Sequence, residues 1–158
     1  MKSLRSVYLA FAVVILAGCA THEVGAFSVH GMKVFPSPHS VRATVDRLEA
    51  AAKARGLNVF ARVDHAAGAQ GIGKVLRPME LLIFGNPQGG TPLMECAQTV
   101  GIDLPLKALA WQEADGSVRL GYNEPRYLLH RHRAGECQPA ADNVARALEA
   151  LAAEAVKR

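Results

Sequence analysis

The dipeptide Asp115-Gly116 is the feature that most limits how this chain can fold. It separates two largely apolar stretches, LKALAWQE and VRLGY. Asp-Gly between such stretches is a strong signal for a tight β-hairpin, which joins antiparallel strands. The sequence therefore predicts a sheet that is mostly antiparallel.

Two segments have the periodicity of amphipathic helices. In residues 37–56, SPHSVRATVDRLEAAAKARG, Ser37 is placed to cap the helix, Pro38 suits its first turn and Gly56 suits its end. Residues 140–157 form the second helix. Its predicted buried face consists of Val144, Leu148, Leu151 and Ala155.

Three further segments are predicted as strands, at residues 29–35, 57–64 and 79–84. The first alternates loosely, and the third is almost wholly apolar. In the second, simple alternation predicts one shared face, formed by Leu57, Val59, Ala61 and Val63.

The segment FGNPQGGTPLM joins the third of these strands to a helix. Gly85-Asn86-Pro87 is a turn sequence, and Thr91-Pro92 is predicted to supply the N-cap and first residue of a helix that ends near Gly101. Gly89-Gly90-Thr91 resembles a small anion cradle, although no lysine follows as in a phosphate-binding loop. The alternative is that the glycines are purely structural.

The predicted order along the chain is a strand, a helix, four strands with short helices between them, and a final helix. Because the connections are dominated by hairpin turns, we expect an α+β fold with a mostly antiparallel sheet and helices on one face. Residues 29–158 are predicted to form this single domain.

The N-terminus has the order of a bacterial lipoprotein signal. Lys2 and Arg5 precede an apolar run, residues 7–17, and the run ends in Leu16-Ala17-Gly18-Cys19, which resembles a lipobox. We expect residues 1–18 to be removed, Cys19 to be lipidated and residues 19–28 to serve as a tether. Ala20 favours the periplasmic face of the outer membrane if the cell is Gram-negative.

Charge and hydropathy limit the partners further. Of 18 basic and 14 acidic side chains, two basic ones lie in the predicted signal, which leaves a formal charge of +2. No basic stripe is present, so nucleic acid is not an expected partner. No later run of apolar residues is long enough to span a membrane. The expected contact with the membrane is the N-terminal lipid.

Three segments carry a family resemblance: TVDRLEAAAKARGLNVFARVDHAAGA, LRPMELLIFGNPQGGTPLM and GIDLPLKALAWQEADGSVRLGYN. They resemble the bacterial and archaeal Domain of Unknown Function 302 family. The resemblance implies a β-α-β4-α fold of the TATA-box-binding-protein-like kind and frequent homodimers, without DNA binding. It supplies no reaction. The family motifs fall on Asp64, His65, Gly85, Asn86, Pro87, Thr91 and Met94.

Asp64 and His65 follow the strand at 57–64, and Asn86 follows the strand at 79–84. If both loops lay on one edge of the sheet, a carboxylate, an imidazole and a carboxamide would share a crevice suited to proton transfer. The alternative is that Asp64 caps a helical turn, Asn86 shapes a turn and His65 is solvated.

Cys96 and Cys137 are the thiols left after lipidation of Cys19. In an oxidising compartment they form a disulfide or remain separate, with Cys96 buried on a helix. A soft metal site would require Met94, Cys96 and His65 to converge. His130 and His132 point to opposite sides if they lie on a helix. We expect no metal and no cofactor.

Three functional hypotheses follow. The favoured one is a lipid-anchored envelope domain, dimeric, that binds a small molecule or a partner protein. The second is an enzyme or redox protein that uses Asp64 and His65, with Asn86 and Cys96. The third is a purely structural envelope scaffold.

Overall fold

The computed structural model describes residues 27–158. Its six strands form one sheet in which every neighbouring pair is antiparallel, and the spatial order is β1-β2-β6-β5-β4-β3. The strands are β1 (Phe27–Val29), β2 (Met32–Ser37), β3 (Asn58–Asp64), β4 (Met79–Gly85), β5 (Leu106–Gln112) and β6 (Val118–Asn123). β1 takes in the last two residues of the predicted tether.

Five α-helices accompany the sheet in this part of the chain. They are α1 (Val41–Ala54), α2 (His65–Gln70), α3 (Pro87–Cys96), α4 (Pro125–His132) and α5 (Gln138–Ala155). Short 3-10 helices occupy Gln98–Ile102 and Gly135–Cys137. From β2 onward the principal elements follow β-α-β4-α, with α1 and α5 packed together over one face. The predicted α+β fold is therefore confirmed.

The predicted hairpin joins β5 to β6. Gly116 has a φ of +85°, a left-handed conformation that glycine adopts without strain. The Asp115 carboxylate accepts a hydrogen bond of 2.9 Å from the Ser117 backbone N–H. This turn sets the register in which Ala110 faces Leu120, and both residues are fully buried.

α1 begins later than the sequence indicated. Ser40, not Ser37, is its N-cap, and the Ser40 hydroxyl accepts a hydrogen bond from the Ala43 N–H. Ser37 still belongs to β2, because it pairs with Val118, and its hydroxyl lies 2.7 Å from the Thr44 hydroxyl. The strand extends two residues further than predicted, so the helix cap moves downstream.

β3 contains an irregularity that breaks its predicted shared face. Val59 pairs with Phe84 but Ala61 pairs with Ile83, so Phe60 is an extra residue, 58% exposed. Val59 therefore faces the helices, whereas Ala61 and, further along, Val63 lie on the opposite face. A bulge of this kind has no signature in simple alternation.

The core lies between the sheet and the α1–α5 layer. Its largest fully buried side chains include Leu82, Phe84 and Leu120 from the sheet, Leu48 from α1 and Leu151 from α5. The opposite side of the sheet, here called the open face, carries Val63, Leu81, Ile83 and Leu109. Across residues 27–158, no helix combines the length and apolarity needed to cross a membrane.

Candidate functional site

Asp64 and Asn86 follow neighbouring strands, but the structure places them at opposite ends of the sheet. Asp64 pairs with Glu80 at one end of the β3–β4 ladder, and Asn58 pairs with Gly85 at the other. At about 3.3 Å per residue, the length of β3 separates these ends by about 20 Å. The condition for a crevice shared by Asp64, His65 and Asn86 is therefore not met, because antiparallel pairing reverses the direction of successive strands.

At its own end of the sheet, Asp64 caps a helix. Its carboxylate accepts a hydrogen bond of 2.8 Å from the Ala67 N–H and so satisfies a free donor in the first turn of α2. His65, the first residue of α2, is exposed. This arrangement matches the structural alternative, in which the DHAAGA segment is a capped helical turn.

Asn86 is the N-cap of α3. Its Oδ1 accepts a hydrogen bond of 2.9 Å from the Gly89 N–H, and Pro87 is the first helical residue. The prediction that Thr91 caps this helix is wrong: Thr91 lies inside α3, and Pro92 is within the helix rather than at its start. Asn86 and Pro87 instead supply the N-cap and the first helical residue, five positions before Thr91 and Pro92.

A cleft of about 600 Å³ lies beside α3. α3 forms one wall, α5 forms the facing wall, and the end of β4 with the start of β5 forms the floor. The principal lining side chains are Asn86, Thr91 and Met94 from α3, Phe84 and Leu106 from the floor, and Asn143, Ala147 and Leu151 from α5. Three of the sequence-predicted site residues, Asn86, Thr91 and Met94, thus meet at one cavity.

The glycine pair of α3 allows neighbouring side chains to pack close to the helix. A Cβ at Gly90 would lie 3.3 Å from the Leu104 Cδ1, and a Cβ at Gly89 would lie 3.4 Å from the Asn86 Oδ1. Both glycines lie in the first turns of α3, not in a loop before it. The glycines therefore permit close packing beside the cleft, the role that the structural alternative gives them.

A disulfide joins Cys96 to Cys137, with a Cα–Cα distance of 6.1 Å. It ties the last residue of α3 to the 3-10 helix that precedes α5, so it links the two walls of the cleft. Cys96 is exposed on its helix, unlike the buried thiol of the alternative interpretation. With its sulfur in this bond, Cys96 does not supply the free thiol that the enzyme or redox hypothesis and the soft metal site would use.

His132 takes part in a cluster that the sequence did not reveal. One ring nitrogen lies 3.0 Å from the Thr99 hydroxyl, and the other lies 2.6 Å from the Asp103 carboxylate. Arg131 pairs with the second Asp103 oxygen at 3.1 Å. The cluster fixes the end of α4 to the segment before Leu104, which lines the cleft. His130 is exposed and does not join it.

Residues 27–158 contain no group of three or more His, Cys, Asp or Glu side chains placed to hold a metal ion. The most extensive charge cluster serves the fold instead. Arg62 on β3 bonds to the buried Glu80 and to Asp46 of α1. Burial lowers the Arg62 pKa, but the hydrogen bonds and charges of Asp46 and Glu80 outweigh this effect and leave that pKa raised.

The fold and cleft define a class: a single α+β domain with one antiparallel sheet and an apolar cleft between two helices. A model of the Domain of unknown function DUF302 family matches residues 33–155. The chain belongs to this family.

The fold has a counterpart among solved structures. The crystal structure of an uncharacterized conserved DUF302 protein from Bacillus stearothermophilus superimposes with a TM-score of 0.73 at 23% sequence identity. The match covers 80% of this chain and 99% of that one. At this identity the likeness shows a common fold.

The sequence also resembles curated proteins named as fluoride-specific ion channels. The chain is 46% identical over 134 residues to FluC 1 of Brucella suis, a match that covers 78% of this chain and 53% of that protein. FluC 1 of Brucella abortus is matched at the same identity over 50% of its length. The chain thus spans about half the length of these relatives.

Proposed function

We propose that this protein is a lipid-anchored domain of the cell envelope that binds a small molecule in the cleft between α3 and α5. The observation that carries the proposal is the cleft itself. Its volume of about 600 Å³ lies within the range of ordinary ligand sites, roughly 300–1,000 Å³. Its apolar lining with a few polar groups is also typical of such sites.

Two features support the envelope address. The lipobox-like sequence ending at Cys19 lies outside the described residues, and it predicts removal of residues 1–18 and attachment of lipid. The Cys96–Cys137 disulfide is the form that cysteines take in oxidising compartments. If the organism is Gram-negative, we place the protein at the periplasmic face of the outer membrane.

The names of the Brucella relatives add support for a location at a membrane. A protein named as an ion channel acts in a membrane, and a segment resembling this chain makes up about half of it. We propose that the present chain reaches a membrane surface through its lipid. The channel activity is a property of those longer proteins.

The geometry favours binding over the enzymatic and redox alternatives. Asp64 and His65 lie about 20 Å from the cleft end of the β3–β4 ladder, and the Cys96 sulfur is in a disulfide. Within residues 27–158, the side chains lining the cleft are apolar or uncharged polar groups. The purely structural hypothesis predicts no ligand, so a binding measurement separates it from our proposal.

A dye that fluoresces in apolar surroundings tests the binding function. We expect Nile red, which is uncharged, to bind the purified protein. Ala147 is exposed at the cleft wall, so Ala147→Trp fills the cleft without disturbing the core. Ala153→Trp is the matched control, because Ala153 is exposed on α5 outside the cleft. The proposal is contradicted if the native chain does not bind Nile red, or if Ala147→Trp binds it as tightly as Ala153→Trp does.

A second copy of the chain is the partner that we propose for the open face. Val63, Leu81 and Leu109 form a continuous apolar row across three strands, and Val63 is 36% exposed. We expect Val63→Lys to yield monomers in analytical ultracentrifugation, whereas Ile102→Lys, at an exposed position off the sheet, remains dimeric. A native chain that sediments as a monomer would refute this assembly.

A further inference from the structure

We infer that the ligand of the cleft is an amphiphile: an elongated hydrocarbon body with a head that accepts hydrogen bonds and carries no positive charge. This inference rests on the proposed binding function and specifies its chemistry. It follows from the length of the apolar wall, the position of the polar groups and the hydrogen-bonding atoms that remain unused.

The apolar part of the cleft is elongated. On α5 the lining runs from Asn143 to Leu151, which at 1.5 Å per helical residue spans about 12 Å. Leu57 and Leu106, both partly exposed, and the exposed Phe60 add accessible apolar surface to the cleft. A wall of this shape covers an extended chain along its length, and burial of apolar surface supplies the affinity.

The amide side chains lie together at one end of the cleft. Asn86 is the N-cap of α3, Gln88 belongs to its first turn, and Asn143 belongs to the N-terminal third of α5. These helix segments are adjacent, because a Cβ at Gly89 would lie 4.0 Å from the Val144 Cγ2. The cleft thus has a polar end and an apolar end, as an amphiphile requires.

The two asparagines are arranged as donors. The Asn86 Oδ1 already accepts from the Gly89 N–H, and the Asn143 Oδ1 accepts from the Arg146 guanidinium. These donors fix the orientation of both amides. Within the described part of the chain, each Nδ2 group has no hydrogen-bond partner. Two amide N–H₂ groups at the polar end select a head that accepts hydrogen bonds.

Positive charge at the head is disfavoured at this end of the cleft. No Asp, Glu, Lys, Arg or His belongs to the lining contributed by residues 27–158. The Arg146 guanidinium, which donates to the Asn143 Oδ1, would repel a cationic head seated between Asn86 and Asn143. An ester, carbonyl or carboxylate oxygen gains the two amide donors.

Isosteric variants test the head-group assignment directly. Asn86→Asp keeps an N-cap oxygen for the Gly89 N–H but replaces the amide donor with an acceptor. We expect monolaurin, a neutral monoacylglycerol, to bind about tenfold more weakly to this variant. Asn123→Asp, at an exposed position at the end of β6, is the matched control and should bind as the native chain does.

Probes with the same chain and different heads complete the test. We expect dodecyltrimethylammonium, whose head has no hydrogen-bond acceptor, to bind at least about tenfold more weakly than monolaurin. If the cationic probe binds as tightly, or if Asn86→Asp has no effect, the head-group inference is overturned while Nile red binding still supports a ligand site. If neither Nile red nor monolaurin binds, both proposals fail.

Discussion

Asp64 and Asn86 each cap a helix, and they do so at opposite ends of the same pair of strands. Asp64 holds the first turn of α2 and Asn86 holds the first turn of α3, through carboxylate and amide oxygens that accept backbone N–H groups. The two family motifs therefore perform the same local task at two distant places. Asn86 adjoins the apolar cleft of about 600 Å³, whereas Asp64 lines a smaller cavity of about 370 Å³.

We predict that His65→Ala leaves ligand binding unchanged. His65 is exposed at the α2 end of the sheet, about 20 Å along the β3–β4 ladder from Asn86. A Nile red titration of the variant against the native chain measures this. A marked loss of affinity in the variant would show that the DHAAGA segment contributes to the site after all.

The capping assignment predicts that substitutions of Asn86 and Thr91 lower the free energy of unfolding by different amounts. Asn86→Ala removes the N-cap of α3 and should lower the free energy of unfolding by about 1 kcal/mol. Thr91→Ala should change it by less than about 0.5 kcal/mol, since Thr91 is exposed within the helix. Urea denaturation of both variants compares them, and a larger cost for Thr91→Ala would contradict the assignment of the cap.

The disulfide should contribute measurably to stability. Cys96 and Cys137 are 41 residues apart in sequence, and closing such a loop in the unfolded chain is worth about 2–4 kcal/mol. We expect the double variant Cys96→Ser/Cys137→Ser to unfold at lower denaturant concentration, and a reductant to destabilise the native chain but not the variant. Equal unfolding midpoints for the native chain and the double variant would contradict the disulfide.

Tyr122 predicts a loss of stability in alkaline solution. Burial, followed by the charges of Glu149 and Glu124, raises the pKa of its phenol in the folded protein. The neutral phenol is thus favoured by folding, so this contribution is complete below the unfolded-state pKa of about 10 and is lost as the pH rises above it. Tyr122→Phe should lose less stability than the native chain between neutral and strongly alkaline pH, as measured by denaturation. An identical loss of stability in the variant and the native chain would contradict this role of Tyr122.

Local sequence patterns predicted the elements that depend on local chemistry. The Asp115-Gly116 hairpin and the buried side of α5 at Val144, Leu148, Leu151 and Ala155 are as expected. The start of α3 was missed because Asn86-Pro87 and Thr91-Pro92 offer the same cap-and-proline pattern. The choice between them depends on tertiary packing, in which Leu93 is buried and Gly90 approaches Leu104.

The candidate site depends on contacts between residues that are far apart in the sequence, which no single segment predicts. Asp103 and His132 are 29 residues apart and meet only because α4 folds against the Gln98–Ile102 helix. The extra residue at Phe60 changes which side chains of β3 face the helices. The alternation of residues 57–64 does not predict this irregularity. The segments that line the cleft were recognisable as motifs, but their convergence required the fold.

Methyl NMR of the protein titrated with monolaurin tests the central claim most directly. The account predicts the largest shift changes at the Met94 ε-methyl and at the methyl groups of Val144, Leu148 and Leu151, which lie at the cleft. Methyl groups of Val63 and Leu81, on the open face, should not move. Saturable changes confined to the open face, or none anywhere, would contradict it.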